Sequence, residues 1–349
     1  MILDILLADK IFYIYGAQVV AYGAYKAISH LYEKLPKCFM VNRSEGNPSD
    51  IDGIPVCSDW ENIPRDSLII VAVTELLQGE IVALLERKGF TNLFRLNQHE
   101  EHLLMSAYFA SIGKFPVAEI SEYTHSTALA MYEVRNHRDK PLSIRPPLQY
   151  FEQSIQAGAA ITDKRIADLL DNTGENISNR NKQYCEMTAT YWVWKNTQHD
   201  WKGIEHYRRH LLVKPEMLTD DVDAILPLPY ICYPNTLAQF RRFVSEDVLQ
   251  ALLSALEELH PDEYESYLSI LHGQYQYTYN LVCARKLVFD DYCTWFFRIT
   301  EHMERMADEV PEIENIRALS YVAEVLTNLY FMSHQDVWRM RHVEKAIYV

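Results

Sequence analysis

The chain has 349 residues, 48% hydrophobic and 23% charged. At about 100–200 residues per domain, that predicts two or three domains with real cores and excludes wholesale disorder. Its 33 basic and 48 acidic residues leave a net charge of −15, which argues against broad electrostatic binding of nucleic acid.

The six cysteines stand at 38, 57, 185, 232, 283 and 293, with no C-x-x-C spacing and no zinc-type Cys/His cluster. The opening residues 1–7 carry an early Asp4 and no basic segment, unlike a secretory signal. No apolar run approaches the ~18 residues of a membrane span. These features predict reduced thiols in a cytosolic protein.

Residues 10–15 form an apolar run that ends at Gly16-Ala17. Residues 17–34 then put Val20, Ala24, Ala27, Ile28 and Leu31 on one helical face. Cys38 to Val41 reads as a second strand and residues 68–73 as a strand buried on both faces. Residues 78–88 read as a helix and Asn92 to Leu96 as a last short strand. This alternation predicts a Rossmann-like parallel sheet over residues 1–100. The glycine loop is incomplete. Gly16 is present, but Gln18 stands where a backbone would approach a pyrophosphate, and Asn42-Arg43 stand where an acid would grip a ribose. The domain could hold a nucleotide, or it could be a scaffold that docks or forms homo-oligomers. A nicotinamide-linked oxidoreductase would rest on Gly16 alone.

Residues 101–125 read as a partly helical connector, and residues 126–349 as a second domain. It opens with the strand Ala128 to Tyr132, which runs into Glu133 to His137. The proline-rich stretch 141–147 is a loop. Asp171 to Ser178 is polar and turn-forming, and its exposed N–H groups could meet a phosphate or a sugar. Residues 181–195 read as one helix with a polar-aromatic face. Three basic residues, His206, Arg208 and Arg209, flank Tyr207. Arginine forks suit diphosphate oxygens, although paired surface charge would look the same. Asp221 and Asp223, as a D-x-D pair, could hold Mn²⁺ or Mg²⁺. An acidic turn before a strand is the commoner use, and we assign no metal ligand. Helices are expected over 245–259, 262–276, 290–306 and 316–331, and a short strand over 280–285. Arg317 and Glu324 share a stripe of the last helix and could simply pair. Arg339-Met340-Arg341-His342 could touch anionic lipid or be a solvated tail.

Three blocks carry a resemblance. Asn172-Thr-Gly-Glu-Asn-Ile-Ser178, Tyr184-Cys-Glu-Met-Thr-Ala-Thr-Tyr-Trp-Val-Trp-Lys195 and His206-Tyr-Arg-Arg209 resemble, in order and spacing, a bacterial family of capsular and exopolysaccharide biosynthesis proteins. That family was long labelled a domain of unknown function and is now treated as glycosyltransferases. The likeness covers about residues 126–349. Asn280 to Ala284 and Phe289 to Phe297 match later family segments. In the last block only Arg317, Tyr321 and Glu324 match, with Ala323 in place of a Ser and Val325 in place of an Arg.

The resemblance implies a GT-A-like α/β domain that moves a sugar, with galactose or galactofuranose from a UDP donor as first guess, onto a growing cell-surface polysaccharide. The acceptor would be a glycan or lipid-linked glycan, met at the inner face of the cytoplasmic membrane. Glu324, Glu186 and Asp171 become candidate bases for the acceptor hydroxyl. His206, Tyr207, Arg208 and Arg209 would face the diphosphate, and Asn172, Thr173 and Asn176 the donor's hydroxyls. Tyr191 and Trp192 could pack on a ring, with Asn280 and Arg317 towards the acceptor. No cofactor is assigned, and a divalent ion, Mn²⁺ or Mg²⁺, could assist. The competing reading is a non-catalytic nucleotide-sugar-binding or assembly subunit.

Overall fold

The computed structural model describes residues 11–121, 128–145 and 147–349. The opening residues 1–7, part of the expected connector (122–127) and Pro146 of the expected loop lie outside these residues. The chain divides into two compact units. One comprises residues 1–116 with 230–234 and 349, the other residues 117–229 with 235–348.

The first unit contains β1 (Phe12–Tyr15), α1 (Val19–Tyr32), β2 (Phe39–Met40), β3 (Asp50–Ile51), β4 (Ile54–Cys57), β5 (Leu68–Val71), α2 (Glu75–Arg87), β6 (Leu93–Arg95) and α3 (Gln98–Ser111). The sheet order is β3-β4-β2-β1-β5-β6. All its pairs are parallel except the β3–β4 hairpin, as in a doubly wound sheet. β5 is buried along its whole length, which explains its unbroken apolar run. Ile81 and Leu85 of α2 cover one face. The helix expected as a connector, α3, packs on α1 instead: His30 meets Tyr108 edge-on at 5.4 Å.

Gly16 has φ +123°, and a Cβ there would stand 2.5 Å from the carbonyl oxygen of Ala72. The backbone itself requires glycine at this point. Asn42 Oδ1 accepts a 2.6 Å hydrogen bond from Tyr15, and Gln18 donates to Asn47. The features that suggested an incomplete dinucleotide loop thus serve local packing.

The second unit contains β7 (Leu129–Arg135), β8 (Glu152–Gln156), β9 (Leu169–Leu170), α4 (Asn181–Tyr184), α5 (Met187–Asn196), β10 (Trp201–His206), β11 (Arg209–Leu211), β12 (Ala224–Pro227), α6 (Thr236–Phe240), α7 (Glu246–Leu259), α8 (Tyr264–His272), β13 (Val282–Arg285), α9 (Lys286–Arg305), α10 (Ala318–Ser333), β14 (Met340–Val343) and β15 (Lys345–Ile347). The sheet runs β14-β12-β13-β10-β7-β8-β9, and β11 joins β10 to β15. β10, β7, β8 and β9 are mutually parallel; β13 runs against both β10 and β12.

One side of this sheet buries Met131, Trp201, Ile225 and Cys283 in a common core. Gly203 makes room there, because a Cβ would meet Met131 Sδ at 2.0 Å. The Ser245 side chain caps α7 by accepting from Val248 N. Tyr292 of α9 packs against Tyr330 and Phe331 of α10.

Several expectations need correction. The helix expected over 181–195 is broken at Cys185, whose φ of +48° and ψ of −121° cannot continue a helix. The segment 339–342 is neither a tail nor a free cationic patch. It leads into β14, where Arg339 pairs with Asp223 at 2.8 Å and Arg341 with Asp221 at 3.1 Å. The same pairs answer the D-x-D reading: Asp223 also faces Arg285 at 3.5 Å. Both carboxylates are already matched by guanidinium groups, so no metal step is built on them. No helix among the described residues is long and apolar enough to cross a membrane, and the six cysteines are unpaired.

Candidate active site

Ligands of open α/β sheets bind beyond the carboxyl ends of parallel strands. β7, β8 and β10 end side by side at Arg135, Gln156 and His206. A cleft of about 500 Å³ opens there. Its walls come from the loop after β7 (Arg135, Asn136, Arg138, Asp139, Lys140), the β10–β11 hairpin (His206 to Arg209), the α4–α5 junction (Lys182, Cys185, Glu186) and α10 with its approach (Arg317, Ser320, Tyr321, Glu324).

Each wall is set by local backbone. The break at Cys185 ends α4, and α5 begins two residues later at Met187, so Glu186 stands at the helix's N-cap and lines the cleft. Tyr321 and Glu324 lie on one face of α10, whereas Arg317, expected on the same stripe, is the left-handed residue before the helix and reaches the cleft from there. Cys185, Tyr279 and Arg317 all line the cleft with positive φ, and Asn280, directly behind it, has φ +52°. Non-glycine residues in this region cost about 1–3 kcal/mol each and gather where function fixes geometry.

Glu186 is held from behind. Its Oε1 accepts from Asn280 Nδ2 at 2.9 Å. Asn280 Oδ1 in turn accepts from Thr327, and Thr327 bonds Tyr292. Burial and the nearby Glu186 charge push the Glu324 carboxyl up to about 7. Burial pulls His206 down to about 4, with Arg209 and Arg208 adding to the shift. His206 is therefore a neutral imidazole at pH 7, 3.8 Å from Glu186. Burial also raises Asp139 to about 6.

The arginines and His206 carry unspent hydrogen-bonding capacity. Nε of Arg135, Arg208 and Arg209, and Nε2 of His206, are buried without a hydrogen-bond partner. Arg209 lies over the Tyr279 ring at 4.2 Å. Guanidinium groups lining a cleft suit a ligand rich in anionic oxygens.

The structure thus gathers Glu186, Glu324, His206, Tyr207, Arg208, Arg209 and Arg317 into one cleft, with Asn280 supporting it. It does not bring in the rest. Asp171 is fully buried and accepts from Gly158 N at 2.8 Å, Ala159 N at 2.9 Å and the Ser178 hydroxyl. Its carboxylate is spent on shaping the loop after β8. Asp171→Asn should therefore lower stability by about 1.5–3 kcal/mol, the worth of hydrogen bonds to a charged group. Urea unfolding followed by circular dichroism measures this, and an unchanged midpoint would contradict it.

Thr173 is occupied by Trp192, whose Nε1 donates to the Thr173 carbonyl at 2.9 Å and hydroxyl at 3.0 Å. Asn176 closes its own turn through Gly174 O and Ser178 N. Tyr191 donates to Glu175 and meets Phe297 edge-on. Asn172 keeps a buried Oδ1 without a hydrogen-bond partner, but outside the cleft. These residues build the scaffold around α5. Ala323 and Val325 are fully buried, so the two departures in the last block fall in the core and leave the cleft unaltered.

The sequence reading missed Arg135, Arg138 and Lys140. Their signal was the end of the first parallel strand of the second unit, which is where such folds bind ligands.

A family profile described as a domain of unknown function, DUF4422, matches residues 134–335, more than half of the chain. Among solved structures, the chain is similar to the apo structure of WbbM, a bifunctional glycosyltransferase. The TM-score is 0.53 at 23% identity, over 63% of this chain and 45% of that one. The chain thus spans less than half the length of WbbM. The likeness is one of fold and agrees with a GT-A-like α/β architecture. No curated protein matches the chain.

Proposed function

The chain belongs to the DUF4422 family, and we propose that it is a glycosyltransferase that takes a sugar from a nucleotide diphosphate donor. The observation that carries this reading is the cleft itself. Buried guanidinium and imidazole nitrogens without a hydrogen-bond partner lie beside two carboxylates at the ends of parallel strands.

In this reading Arg135, Arg208 and Arg209 bind the diphosphate. An acceptor hydroxyl oxygen attacks the anomeric carbon, and Glu324 takes the hydroxyl proton. The bond from that carbon to the diphosphate oxygen breaks, and the charge that develops on the leaving group is met by the arginines. Glu186, fixed by Asn280, sets the charge that tunes Glu324. Neutral His206 contributes a hydrogen bond without adding charge. The fold shared with WbbM supports sugar transfer in general, and the three sequence blocks are what point to a UDP-galactose or UDP-galactofuranose donor and a cell-surface glycan acceptor, lipid-linked at the cytoplasmic membrane.

The test is calorimetric titration of the full chain with UDP, UDP-galactose and UDP-galactofuranose, with and without Mn²⁺, followed by assay of donor hydrolysis. Binding of one UDP-sugar, with slow release of UDP, is the expected outcome. Binding with no hydrolysis and no transfer to any glycan acceptor would favour a nucleotide-sugar-binding subunit. No binding of any nucleotide would sink both.

A further inference from the structure

His206 and Glu205 are consecutive on β10, so their side chains leave opposite faces of the sheet. His206 faces the cleft. Glu205 turns the other way and is fully buried beside Glu133, its register partner on β7. Glu152 of β8 and His210 of β11 complete the group; His210 is 4% exposed. Glu152, Glu205 and His210 offer ligand atoms that all lie within 4.8 Å of one another.

Two observations set this group apart from an ordinary acidic cluster. Glu205 Oε1 and His210 Nε2 are buried without a hydrogen-bond partner. His210 Nδ1 lies 3.4 Å from that oxygen, about the edge of a tetrahedron with ~2.1 Å metal–ligand bonds. On the other side of the ring, His210 Nε2 lies 3.8 Å from Glu133 Oε1. Glu133 is anchored by the Ser154 hydroxyl and by Arg145 at 3.1 Å. A carboxylate behind a histidine ligand is the usual outer support of a metal-bound imidazole. The other Glu205 oxygen accepts from Leu211 N at 3.3 Å, which leaves Oε1 facing His210.

We propose that Glu152, Glu205 and His210 bind one divalent transition-metal ion, zinc first, with Glu133 orienting the histidine. One nitrogen and two carboxylates suit zinc or manganese, whereas magnesium prefers oxygen ligands alone. Glu152 and His210 also line a cavity of about 440 Å³ bordered by Tyr150 and Tyr348, which gives an ion a route in.

The experiment strips the full chain with a chelator and titrates it with ZnCl₂ against a chromophoric competitor, with Co²⁺ absorption as a second readout. About one equivalent should bind. Glu205→Gln and His210→Gln should weaken binding by about 100-fold, and Glu133→Gln by about 10-fold or more. Half-buried Glu152 supplies a further variant, Glu152→Gln, should the buried ones fail to fold. Absence of uptake by the wild type, or equal affinity in Glu152→Gln and every folded variant, would overturn the proposal. No nucleotide is used, so the outcome is independent of the proposed transferase activity.

Discussion

Glu324→Gln should lower kcat by about 10²–10⁴-fold, the usual worth of a general base, while donor affinity stays within about threefold. The amide keeps the shape of the carboxyl and cannot take the acceptor's proton. The wild-type pH profile supplies a second signature. The carboxyl titrates at about 7, so the basic form grows as pH rises. Activity should climb from pH 6 to a plateau above 8, and the residual activity of the variant should lose that limb. Stability runs the other way. The folded-state pKa lies above that of an ordinary carboxyl, so the stabilising contribution of protonation is complete at acid pH and is lost as pH rises through about 7. The variant should therefore melt at or above the wild-type temperature at pH 8. A kcat within threefold of wild type would remove Glu324 as the base. Loss of activity in Glu186→Gln alone would transfer that role to Glu186.

Arg209→Ala should weaken binding of a UDP-sugar by about 10–100-fold, which is the 1.5–3 kcal/mol of a hydrogen bond to a charged group. The guanidinium is fixed over Tyr279 and offers a buried, unpartnered Nε. Arg209→Lys keeps the charge but loses the fork, and should recover only part of the affinity. Calorimetry with UDP measures both. Equal affinity in all three proteins would take Arg209 off the diphosphate.

Different parts of the cleft were legible in the sequence for different reasons. Tyr184-Cys-Glu186 and His206-Tyr-Arg-Arg209 each put chemistry-bearing side chains at an element's end, and the fold delivers them to one place. Glu324 was legible from its place on the last helix, whereas Arg317 reaches the cleft from the left-handed residue just before that helix, which its expected helical spacing did not foretell. The block from Asn172 to Ser178 misled because Asx, Thr and Ser residues that could hold a sugar serve equally well to close turns, and here the turns take them. Asp171 misled for the same reason: its oxygens face backbone N–H groups within the chain. The break at Cys185 could not be read, since its neighbours keep a helical pattern on both sides. Arg135 to Lys140 looked like any charged loop until the strand order placed them at the sheet's carboxyl edge. In the first unit the parallel sheet was legible from buried runs such as Leu68–Val71, whereas only the fold shows that the Ala72 carbonyl leaves no room for a side chain at Gly16.

Strand β10 places neighbouring side chains on opposite faces while pairing with β7 on one flank and β13 on the other. A single-residue insertion or deletion within it would exchange the two faces, turning Glu205 into the arginine-lined cleft and His206 towards Glu133. Substitutions in the loop after β7 could reshape ligand preference one residue at a time. Changes of length in β10 have no such gradual route, so descendants of this fold should vary in the loops and keep the spacing of that strand.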